Sequence, residues 1–423
     1  MHIAGWYNYY SNRIYEKEAA MNINEQVEYL MQGTEYGDDK LRQSMADELR
    51  ARLMTCEKEG RVLRVYCGFD PRKADLHLGH TVPMRKLRQF QELGHDVTFV
   101  IGNYTSLIGD PSDKDVLRPQ LSHEEVEANA RTYAEQAFRI LEPEKTSIRY
   151  NAEWLSKLSF EELIRLASNF TIQQFLTREN FRLRYDKGDA IHLHETFYSL
   201  MQGYDAYMLK ADVQVGGTDQ LFNIMTAARK VMSSLGAKPN IAIILGILPG
   251  TDGDIKMSKS LKNHIPLLST PEDMYGKIMS VPDKAMGQFM RLVTRWTPDR
   301  IAQVESDLAS GTMHPRDVKM SIAREIVSIY HDENSAGKAE ETFKKVFQQK
   351  EIPDEMMDYQ SQPGQTLLDV LTHSGLVTSK TQGRRLVSQG GVRLDGVTLN
   401  EPETPFPHPG VLQVGKRHFI RVK

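Results

Sequence analysis

The sequence has few cysteines, no long apolar run and little net charge. Its two cysteines, Cys56 and Cys67, stand eleven positions apart, without a CxxC pair or a neighbouring cluster of ligand residues. This disfavours both a disulfide scaffold and a zinc site, and it is consistent with a reducing cytoplasm. The longest apolar stretch, 241–248, is far shorter than the roughly 20 residues that span a bilayer. We expect no bound metal and no membrane segment.

The small net charge also limits the kinds of partner. A formal net charge of -3 over 423 residues gives no general attraction for nucleic acid, so any RNA-binding site must be local. The first residues, MHIAGWYNYYSNR, lack the basic start and apolar core of a secretory signal peptide. Because single cores stop growing near about 300 residues, we expect two or three domains in a cytoplasmic protein.

Residues 61–101 show the pattern of a strand, a loop, a helix and a second strand. Residues 61–67 (RVLRVYC) are rich in Val and Leu, and Gly68 ends them. The helix has Pro83 in its first turn and Gly94 at its end. Its apolar stripe has helical spacing and consists of Met84, Leu87, Phe90 and Leu93. With a strand at 97–101, this βαβ unit predicts a parallel sheet that binds ligands at the carboxyl ends of its strands.

Further patterns divide the chain into five segments. Residues 1–57 form a helical lead-in, 58–265 hold the sheet with 241–248 as a central strand, and 266–348 are helical. The acidic, proline-bearing stretch at 349–363 indicates a linker. Residues 364–423 carry three lysines and five arginines against two aspartates and two glutamates. A small basic module, with a hairpin signal at Asp395 and Gly396, therefore ends the chain.

The segment GFDPRKADLHLGH, at 68–80, lies between the first strand and the helix. His77 and His80 stand at a helix N-terminus, where the helix dipole and free amides attract anions and imidazoles can donate to developing charge. Gly79 lets a nucleotide approach the backbone. The pattern predicts a polyphosphate site, and the plain alternative is a helix cap with surface histidines.

A second motif, KMSKS at 256–260, follows the central strand and a Gly/Asp turn. Lys256 and Lys259 on such a loop can close over a pyrophosphate, although a solvated lysine loop is the alternative for either one alone. HLGH and KMSKS, in this order and context, resemble the paired signatures of class I aminoacyl-tRNA synthetases.

Three further segments resemble the tyrosyl-tRNA synthetase family: YCGFDP at 66–71, YSLMQGYD at 198–205 and QVGGTDQ at 214–220. The resemblance runs from about residue 60 to the C-terminus. It implies an α/β fold: a Rossmann-like parallel-sheet catalytic domain with a dimerisation insertion, a following α-helical domain for anticodon recognition, and a small α+β C-terminal RNA-binding domain. A homodimer is implied as well.

The resemblance also implies roles for individual residues. Tyr66 and Asp205 hydrogen-bond the phenol of tyrosine, so that phenylalanine leaves both unpaired. Asp110, Tyr198 and Gln202 are implied to hold the substrate ammonium. Gln220 is implied to lie near the substrate carboxylate. The residues implied to bind ATP are Gly68, Asp70, Gly79, Gly217, Asp219 and Lys259.

Some of these positions have plain alternatives, and others depart from the family pattern. Residues 110–112 are also a turn pattern, residues 198 and 202 share a helix face where packing is common, and residue 205 is also a capping type. Arg72 stands where the family usually has Thr or Ser, and Asp113 and Lys262 stand where it usually has glycine. These departures bear on the rate more than on the substrate.

The basic module, with SKTQGRRLVSQGGVRLDG at 379–396, resembles the alpha-L RNA-binding motif of a small-subunit ribosomal protein and of many tyrosyl-tRNA synthetases. Lys380, Arg384 and Arg385 share one helix side and can meet RNA phosphates, with a solvated basic helix as the alternative. Gly383 stands where alanine is common and is expected to cost that helix about 1 kcal/mol relative to it.

The reaction implied by the resemblance needs no enzyme nucleophile. The tyrosine carboxylate attacks the α-phosphate of ATP, which is a substrate with Mg²⁺, and no tightly bound cofactor is expected. The migrating charge meets His77, His80, Lys256 and Lys259. The partners are tyrosine, ATP and tyrosine tRNA.

Three other functions remain open from the sequence. A tryptophanyl-tRNA synthetase shares the signatures, but Tyr66, Asp205 and the basic module speak against it. A small-molecule nucleotidyltransferase would account for HxGH and leave the C-terminal third without a role. A catalytically weak RNA-binding relative is conceivable because of Arg72 and Asp113.

Overall fold

The structure is a computed structural model, and it describes residues 21–71, 76–112, 123–349, 356–415 and 418–423. Arg72 and Asp113 lie outside the described residues. Contacts divide the chain into two units, Met1–Ser269 with Val281–Tyr330 and Thr270–Ser280 with His331–Lys423. The five-segment division stays a prediction.

Five parallel strands form the sheet of the first unit. They are β1 (Arg64–Phe69), β2 (Asp96–Ile101), β3 (Thr146–Tyr150), β4 (Val213–Gly217) and β5 (Ile241–Leu245). Their order across the sheet is β3-β2-β1-β4-β5, and every neighbouring pair is parallel. Every residue of β5 is buried, as a continuous apolar run predicts, although the strand ends before residue 248. The predicted parallel α/β sheet is confirmed.

Helices connect and flank these strands. Those before β5 are α1 (Ile23–Met31), α2 (Asp39–Glu59), α3 (Leu78–Glu92), α4 (His123–Ala137), α5 (Ala152–Leu155), α6 (Phe160–Ala167), α7 (Ile172–Leu176), α8 (Glu179–Lys187), α9 (Leu193–Met208) and α10 (Arg229–Ser234). A π-helical segment, Phe222–Ala228, leads into α10. Among the described helices, none combines the length and the apolar character needed to cross a membrane.

Helix α3 starts earlier than the sequence pattern predicted. Its stripe is buried as expected, with Met84, Leu87 and Phe90 all inaccessible to solvent. The prediction that Pro83 lies in the first turn is wrong, because His77 caps the helix and Leu78 is its first residue. The histidine motif therefore forms the first turn itself.

The helices after the sheet belong to both units. They are α11 (Pro271–Met279), α12 (Met286–Val293), α13 (Pro298–Ala309), α14 (Pro315–Tyr330) and α15 (Glu333–Phe343). Thr270 and Thr297 cap the starts of α11 and α13 through their side chains. Helices α12, α13 and α14 group with the sheet, whereas α11 and α15 group with the C-terminal residues.

The C-terminal part of the second unit is a small α+β module, as predicted. It contains α16 (Leu367–His373), α17 (Lys380–Ser388), β6 (Met357–Tyr359), β7 (Val392–Leu394), β8 (Val397–Thr398), β9 (Gly410–Val414) and β10 (His418–Val422). The strands form one sheet in the order β6-β10-β9-β7-β8. Asp395 and Gly396 have positive φ and join β7 to β8 in the predicted two-residue hairpin.

The expectation for Gly383 stays a prediction, and the packing around this residue bears on it. A Cβ at this position would lie 2.7 Å from Cδ2 of Leu368, so α17 approaches α16 too closely for alanine unless Leu368 moves. Close packing against α16 therefore acts against the intrinsic helix preference for alanine at this position.

Candidate active site

The order of the strands creates a crevice between β1 and β4, because the chain leaves these two neighbours towards opposite edges of the sheet. Ligands of such sheets bind outside the carboxyl ends of the strands at this point. Gly68 lies in β1, and Asp70 directly follows that strand. Gly217 ends β4, and a short 3₁₀ turn from Thr218 to Gln220 follows it. Two predicted motif segments therefore meet at one crevice.

His77 and His80 cap the start of α3 with each other's help. Nδ1 of His77 accepts the amide N–H of Gly79 at 3.2 Å, and Nδ1 of His80 accepts the amide N–H of His77 at 3.2 Å. The centroids of the two rings lie 3.8 Å apart. Because both Nδ1 atoms accept, each neutral ring carries its proton on Nε2. The pair is a helix cap and also a pair of N–H donors at a helix N-terminus.

The KMSKS loop and the residues after it contact this helix start. The amide N–H of Leu78 donates to the carbonyl oxygen of Ile265 at 3.0 Å. A Cβ on Gly79 would lie 3.5 Å from Cβ of Met257 and 3.0 Å from the His77 ring, so glycine permits this approach. The structure brings the two signature segments together.

Asn263 organises the KMSKS loop from behind. This residue is buried, its Oδ1 accepts the amide N–H of Ser258 at 2.8 Å, and its Nδ2 donates to Oδ2 of Asp252 at 2.6 Å. Lys262, which replaces the usual glycine, has a φ of 57°. The departure from the family pattern therefore places a side chain in the left-handed region that favours glycine.

The two lysines of the motif are both exposed. Nζ of Lys256 lies 3.0 Å from Oδ2 of Asp219, which joins the loop to the end of β4. Lys259 lies in the same loop, and its carbonyl oxygen accepts the amide N–H of Lys262 at 3.2 Å. We call His77, His80, Lys256 and Lys259 the outer half of the site.

Tyr66 and Asp205 are both buried. The Tyr66 hydroxyl donates to the carbonyl oxygen of Gln202 at 3.3 Å. Asp205 accepts hydrogen bonds from Nε1 of Trp154 at 2.7 Å and from Nδ2 of Asn151 at 3.3 Å. A carboxylate has about four lone-pair sites, so these two donors orient Asp205 and leave capacity for a third.

Asp70 and Tyr198 are joined across the same crevice. The Tyr198 hydroxyl donates to Oδ2 of Asp70 at 3.1 Å, and the Thr105 hydroxyl donates to Oδ1 at 2.8 Å. A Cβ on Gly102 would lie 2.2 Å from Oδ1 of Asp70, so only glycine leaves room for this carboxylate. The residue predicted for ATP and one predicted for the ammonium are therefore in direct contact.

Asp110 and Gln220 also meet, although they come from distant segments. The Gln220 amide donates to Oδ2 of Asp110. Oδ1 of Asp110 accepts the amide N–H of Ser112 at 2.9 Å and its hydroxyl at 2.6 Å. The turn at 110–112 is thus present, and it orients the Asp110 carboxylate towards Gln220. We call Tyr66, Asp110, Tyr198, Gln202 and Asp205 the inner half of the site.

Burial dominates the electrostatics of the inner half. It raises the pKa of Asp205 to about 7, against the lowering effect of the Trp154 and Asn151 hydrogen bonds. Burial, together with the nearby charge of Asp205, raises the pKa of Tyr66. Burial likewise raises the pKa of Asp110. The carboxylates of this half are therefore poorly solvated and favour a ligand that supplies donors.

Several polar residues of this site were not predicted from the sequence. They are Thr105, Asn151, Trp154 and Asn263, which orient predicted residues through hydrogen bonds. Asn151 directly follows β3 and Trp154 lies in α5, and nothing in the spacing of the sequence links either residue to Asp205. The carboxyl end of a predicted β3 is the signal that could have drawn attention to them.

The predicted RNA-binding residues of α17 are exposed. Lys380 pairs with Asp369 at 2.8 Å, and the Arg384 guanidinium pairs with Glu403 at 2.6 Å. Arg385 lies beside them on the same helix. Exposed ion pairs of this kind are weak, so phosphate groups can compete for both cations.

Two family models match the chain. The model described as tRNA synthetases class I (W and Y) matches residues 58–348, and the S4 domain model matches residues 365–408. The tyrosine–tRNA ligase of Thermotoga maritima is 46% identical over 362 residues, which cover 85% of this chain and 90% of that protein. The chain belongs to the tyrosyl-tRNA synthetase family.

Other members of the tyrosyl-tRNA synthetase family match over nearly the whole length. The tyrosine–tRNA ligase of Oleidesulfovibrio alaskensis is 42% identical over 406 residues, which cover 95% of this chain and 99% of that protein. A C-terminally truncated mitochondrial tyrosyl-tRNA synthetase from Aspergillus nidulans has the same fold, with a TM-score of 0.60 at 21% sequence identity. That match covers 79% of this chain and 100% of the other.

Proposed function

We infer that this protein is a tyrosine–tRNA ligase, which activates L-tyrosine with ATP and transfers it to the 3′ end of tyrosine tRNA. The observation that carries this inference is the 46% identity to a tyrosine–tRNA ligase over 85% of the chain. The crevice supports it, because a buried tyrosine and a buried aspartate suit a phenol ligand. The tryptophanyl alternative leaves this polar pair without a ligand hydroxyl.

We propose that the inner half binds tyrosine. The substrate phenol donates to Asp205, whose carboxylate is already oriented by Trp154 and Asn151, and Tyr66 completes the contact. Asp110, Tyr198 and Gln202 receive the ammonium, and Gln220 lies near the substrate carboxylate. The poor solvation of both carboxylates supports this assignment, because a phenol and an ammonium supply the missing donors.

We propose that the outer half handles the triphosphate of MgATP. An oxygen of the tyrosine carboxylate attacks the α-phosphorus in line, the bond to the bridging oxygen breaks, and pyrophosphate leaves with that electron pair. Nε2–H of His77 and of His80, with the ammonium groups of Lys256 and Lys259, stabilises the charge that develops. Gly68, Asp70, Gly79, Gly217 and Asp219 shape the nucleotide site.

In the second step, a hydroxyl of the terminal ribose of tRNA attacks the carbonyl carbon of the adenylate. The ester forms, AMP leaves with the bond electrons, and the proton of the attacking hydroxyl passes to the departing phosphate of AMP. The same crevice serves both steps, because the tyrosyl carbonyl does not need to move far. Donors that held the carboxylate in the first step can hold the carbonyl oxygen in the second.

Amino-acid-dependent exchange between pyrophosphate and ATP tests the proposed function. The purified chain is expected to exchange with tyrosine, and at most weakly with phenylalanine or tryptophan. Exchange with tryptophan alone would replace the tyrosine assignment. A chain that binds tRNA and gives no exchange with any of the twenty amino acids would be the catalytically weak relative.

We propose that residues 364–423 bind tRNA through Lys380, Arg384 and Arg385 of α17. The module has its own buried core, which supports its removal as a unit. Deletion of these residues is expected to weaken charging of tRNA while pyrophosphate exchange continues. Equal charging by the truncated and full-length chains would remove the module from tRNA binding.

We also propose a cytoplasmic homodimer formed through helices α6 to α9. These helices pack around a small shared core that includes Phe175, Phe181 and Leu200. Their other surfaces carry exposed large apolar side chains, which are Phe160, Ile164, Ile172, Leu183, Tyr185 and Leu193. We expect these side chains to form one apolar patch at the interface between the two subunits.

The mass in solution tests the dimer. The double substitution Phe160→Glu and Ile164→Glu is expected to give a monomer by light scattering, because it places charge on the apolar surface. Met54→Glu, at an exposed apolar residue of α2, serves as the control and is expected to leave the dimer intact. A monomeric wild type would contradict the proposal directly.

A further inference from the structure

Arg178 is a buried cation to which the reaction above gives no role. It directly precedes α8 and is 6% exposed to solvent. The central carbon of its guanidinium lies 4.9 Å from the ring centroid of Phe181 and 5.2 Å from that of Phe222. Among the residues that the structure describes, no carboxylate forms an ion pair with it.

A cation in this position is unfavourable without compensation. Burial removes its solvation, and the start of a helix carries partial positive charge. Burial lowers the pKa of Arg178, and Asp110, Tyr198 and Glu195 counteract this effect, with Asp110 the strongest of the three. Glu195 is already paired with Arg184 at 2.6 Å. The carboxylate that balances Arg178 is therefore Asp110.

Ser112 connects the two groups. Nη2 of Arg178 donates to the Ser112 hydroxyl oxygen at 2.7 Å, and that hydroxyl donates to Oδ1 of Asp110 at 2.6 Å. Nη1 donates to Ser199 at 3.0 Å, whose hydroxyl donates to Asn223 at 2.7 Å. Because the serine oxygen accepts from a cation, its proton is directed towards Asp110. The guanidinium therefore fixes both the direction and the charge of that carboxylate.

We propose that Arg178 is a positioning residue for tyrosine binding, which acts through Ser112 to hold Asp110 as an oriented anion for the substrate ammonium. This inference rests on the proposed function, which assigns the ammonium to Asp110. Burial raises the pKa of Asp110, the Ser112 hydrogen bond and the charge of Arg178 lower it, and Asp219 raises it again. Removing Arg178 therefore lets Asp110 keep its proton to a higher pH.

The pH dependence of tyrosine affinity tests this role. Affinity falls as the pH drops through the pKa of Asp110, so a higher pKa moves the midpoint of this fall to higher pH. Arg178→Met is expected to raise the Kd of tyrosine about tenfold at pH 7, to move the midpoint upward and to leave the Kd of ATP unchanged. Asp205 also titrates in this pH range and contributes equally to wild type and variant, whereas Tyr66, whose pKa is raised by burial, keeps its proton throughout.

Three further variants separate positioning from folding. Arg178→Lys keeps the charge and is expected to restore the midpoint while tyrosine still binds more weakly. Arg182→Gln changes an exposed arginine of the same helix and is expected to match wild type. Ser112→Ala breaks the relay and leaves Arg178 in place, so it is expected to raise the Kd even where Arg178→Met fails to fold.

The outcomes distinguish this inference from the proposed function. A lower melting temperature with an unmoved midpoint in both Arg178→Met and Ser112→Ala would make Arg178 purely structural and overturn the inference. A wild-type protein that binds no tyrosine would instead overturn the proposed function. Calorimetric titration of the full chain with tyrosine and ATP, from pH 5 to pH 9, gives both readouts.

Discussion

The inner and outer halves of the site are built in opposite ways. In the inner half, Asp205 and Asp110 are desolvated and oriented by neutral donors, which include Trp154 and Ser112. In the outer half, exposed lysines are carried by a loop that contacts a helix start. Buried groups select a ligand because an unmatched ligand leaves them unpaired, whereas exposed cations contribute mainly where charge develops. In the proposed function, selection of the substrate and acceleration of the reaction are thus assigned to the buried and to the exposed groups, respectively.

The largest effect is expected from a substitution in the outer half. Lys259→Ala is expected to slow adenylate formation roughly 10²-fold, because loss of a group that stabilises transition-state charge costs about this much. The Kd of tyrosine is expected to stay nearly unchanged, since the inner half is intact. Rapid-quench measurement of the first turnover gives the rate, and equilibrium dialysis gives the affinity.

Lys284→Ala is the matched control for this prediction. Lys284 is an exposed lysine that pairs with Asp254 in the turn before the KMSKS motif. It is expected to react at the wild-type rate. A Lys259→Ala enzyme that weakens tyrosine binding and leaves the rate unchanged would contradict the separation of the two halves.

The next largest effect is expected from a substitution in the inner half. Asp205→Ala is expected to reduce the preference for tyrosine over phenylalanine by about 10- to 100-fold, since a hydrogen bond to a charged group contributes about 1.5–3 kcal/mol. Asp186→Ala, at an exposed aspartate of α8, is expected to keep the preference. Pyrophosphate exchange with each amino acid gives the ratio, and an undiminished ratio would remove Asp205 from the phenol site.

The sequence predicted the skeleton of both halves, because their signals are local. The βαβ pattern gave the parallel strands and the buried stripe of α3, and periodicity depends on residues a few positions apart. The start of α3 was misplaced because the histidine motif contains the cap itself. Because proline is common in the first turn of a helix, Pro83 placed the predicted start of α3 too late in the sequence. In the structure Pro83 lies beyond the first turn.

The partners of the inner half could not be predicted, because they depend on contacts across the sheet. Trp154 and Asn151 approach Asp205 because α5 and the residue before it, which follow β3, contact α9. The relay from Arg178 to Asp110 likewise joins a helix start to a distant turn. Single motifs identify such carboxylates, whereas their orientation and charge come from tertiary neighbours.

The protonation of Asp205 in the inner half also affects the stability of the fold. Folding raises the pKa of Asp205 from 3.8 to about 7, so the folded protein holds this proton more tightly than the unfolded chain. Its contribution to stability is present below pH 4 and is lost as the pH rises towards 7. Between pH 5 and pH 8 this loss amounts to about 2–3 kcal/mol.

Asp205→Asn removes that titration. The free energy of unfolding of Asp205→Asn minus that of wild type is expected to increase by about 2 kcal/mol from pH 5 to pH 8. The variant is nevertheless expected to select tyrosine less well. Denaturant unfolding at the two pH values measures the free-energy difference, with Asp186→Asn as the exposed control. If this difference in unfolding free energy did not depend on pH, folding would not raise the pKa of Asp205.

The smallest expected effect concerns the loop of the outer half. Lys262 has a φ of 57°, and a left-handed residue with a Cβ costs about 1 kcal/mol. Lys262→Gly relieves this strain, whereas Lys262→Ala removes the charge and keeps the Cβ. If the strain matters, glycine alone raises the melting temperature slightly. If both variants instead change the adenylate rate equally with unchanged melting temperatures, the side-chain charge of Lys262 acts on the triphosphate, and the outer half has a third lysine.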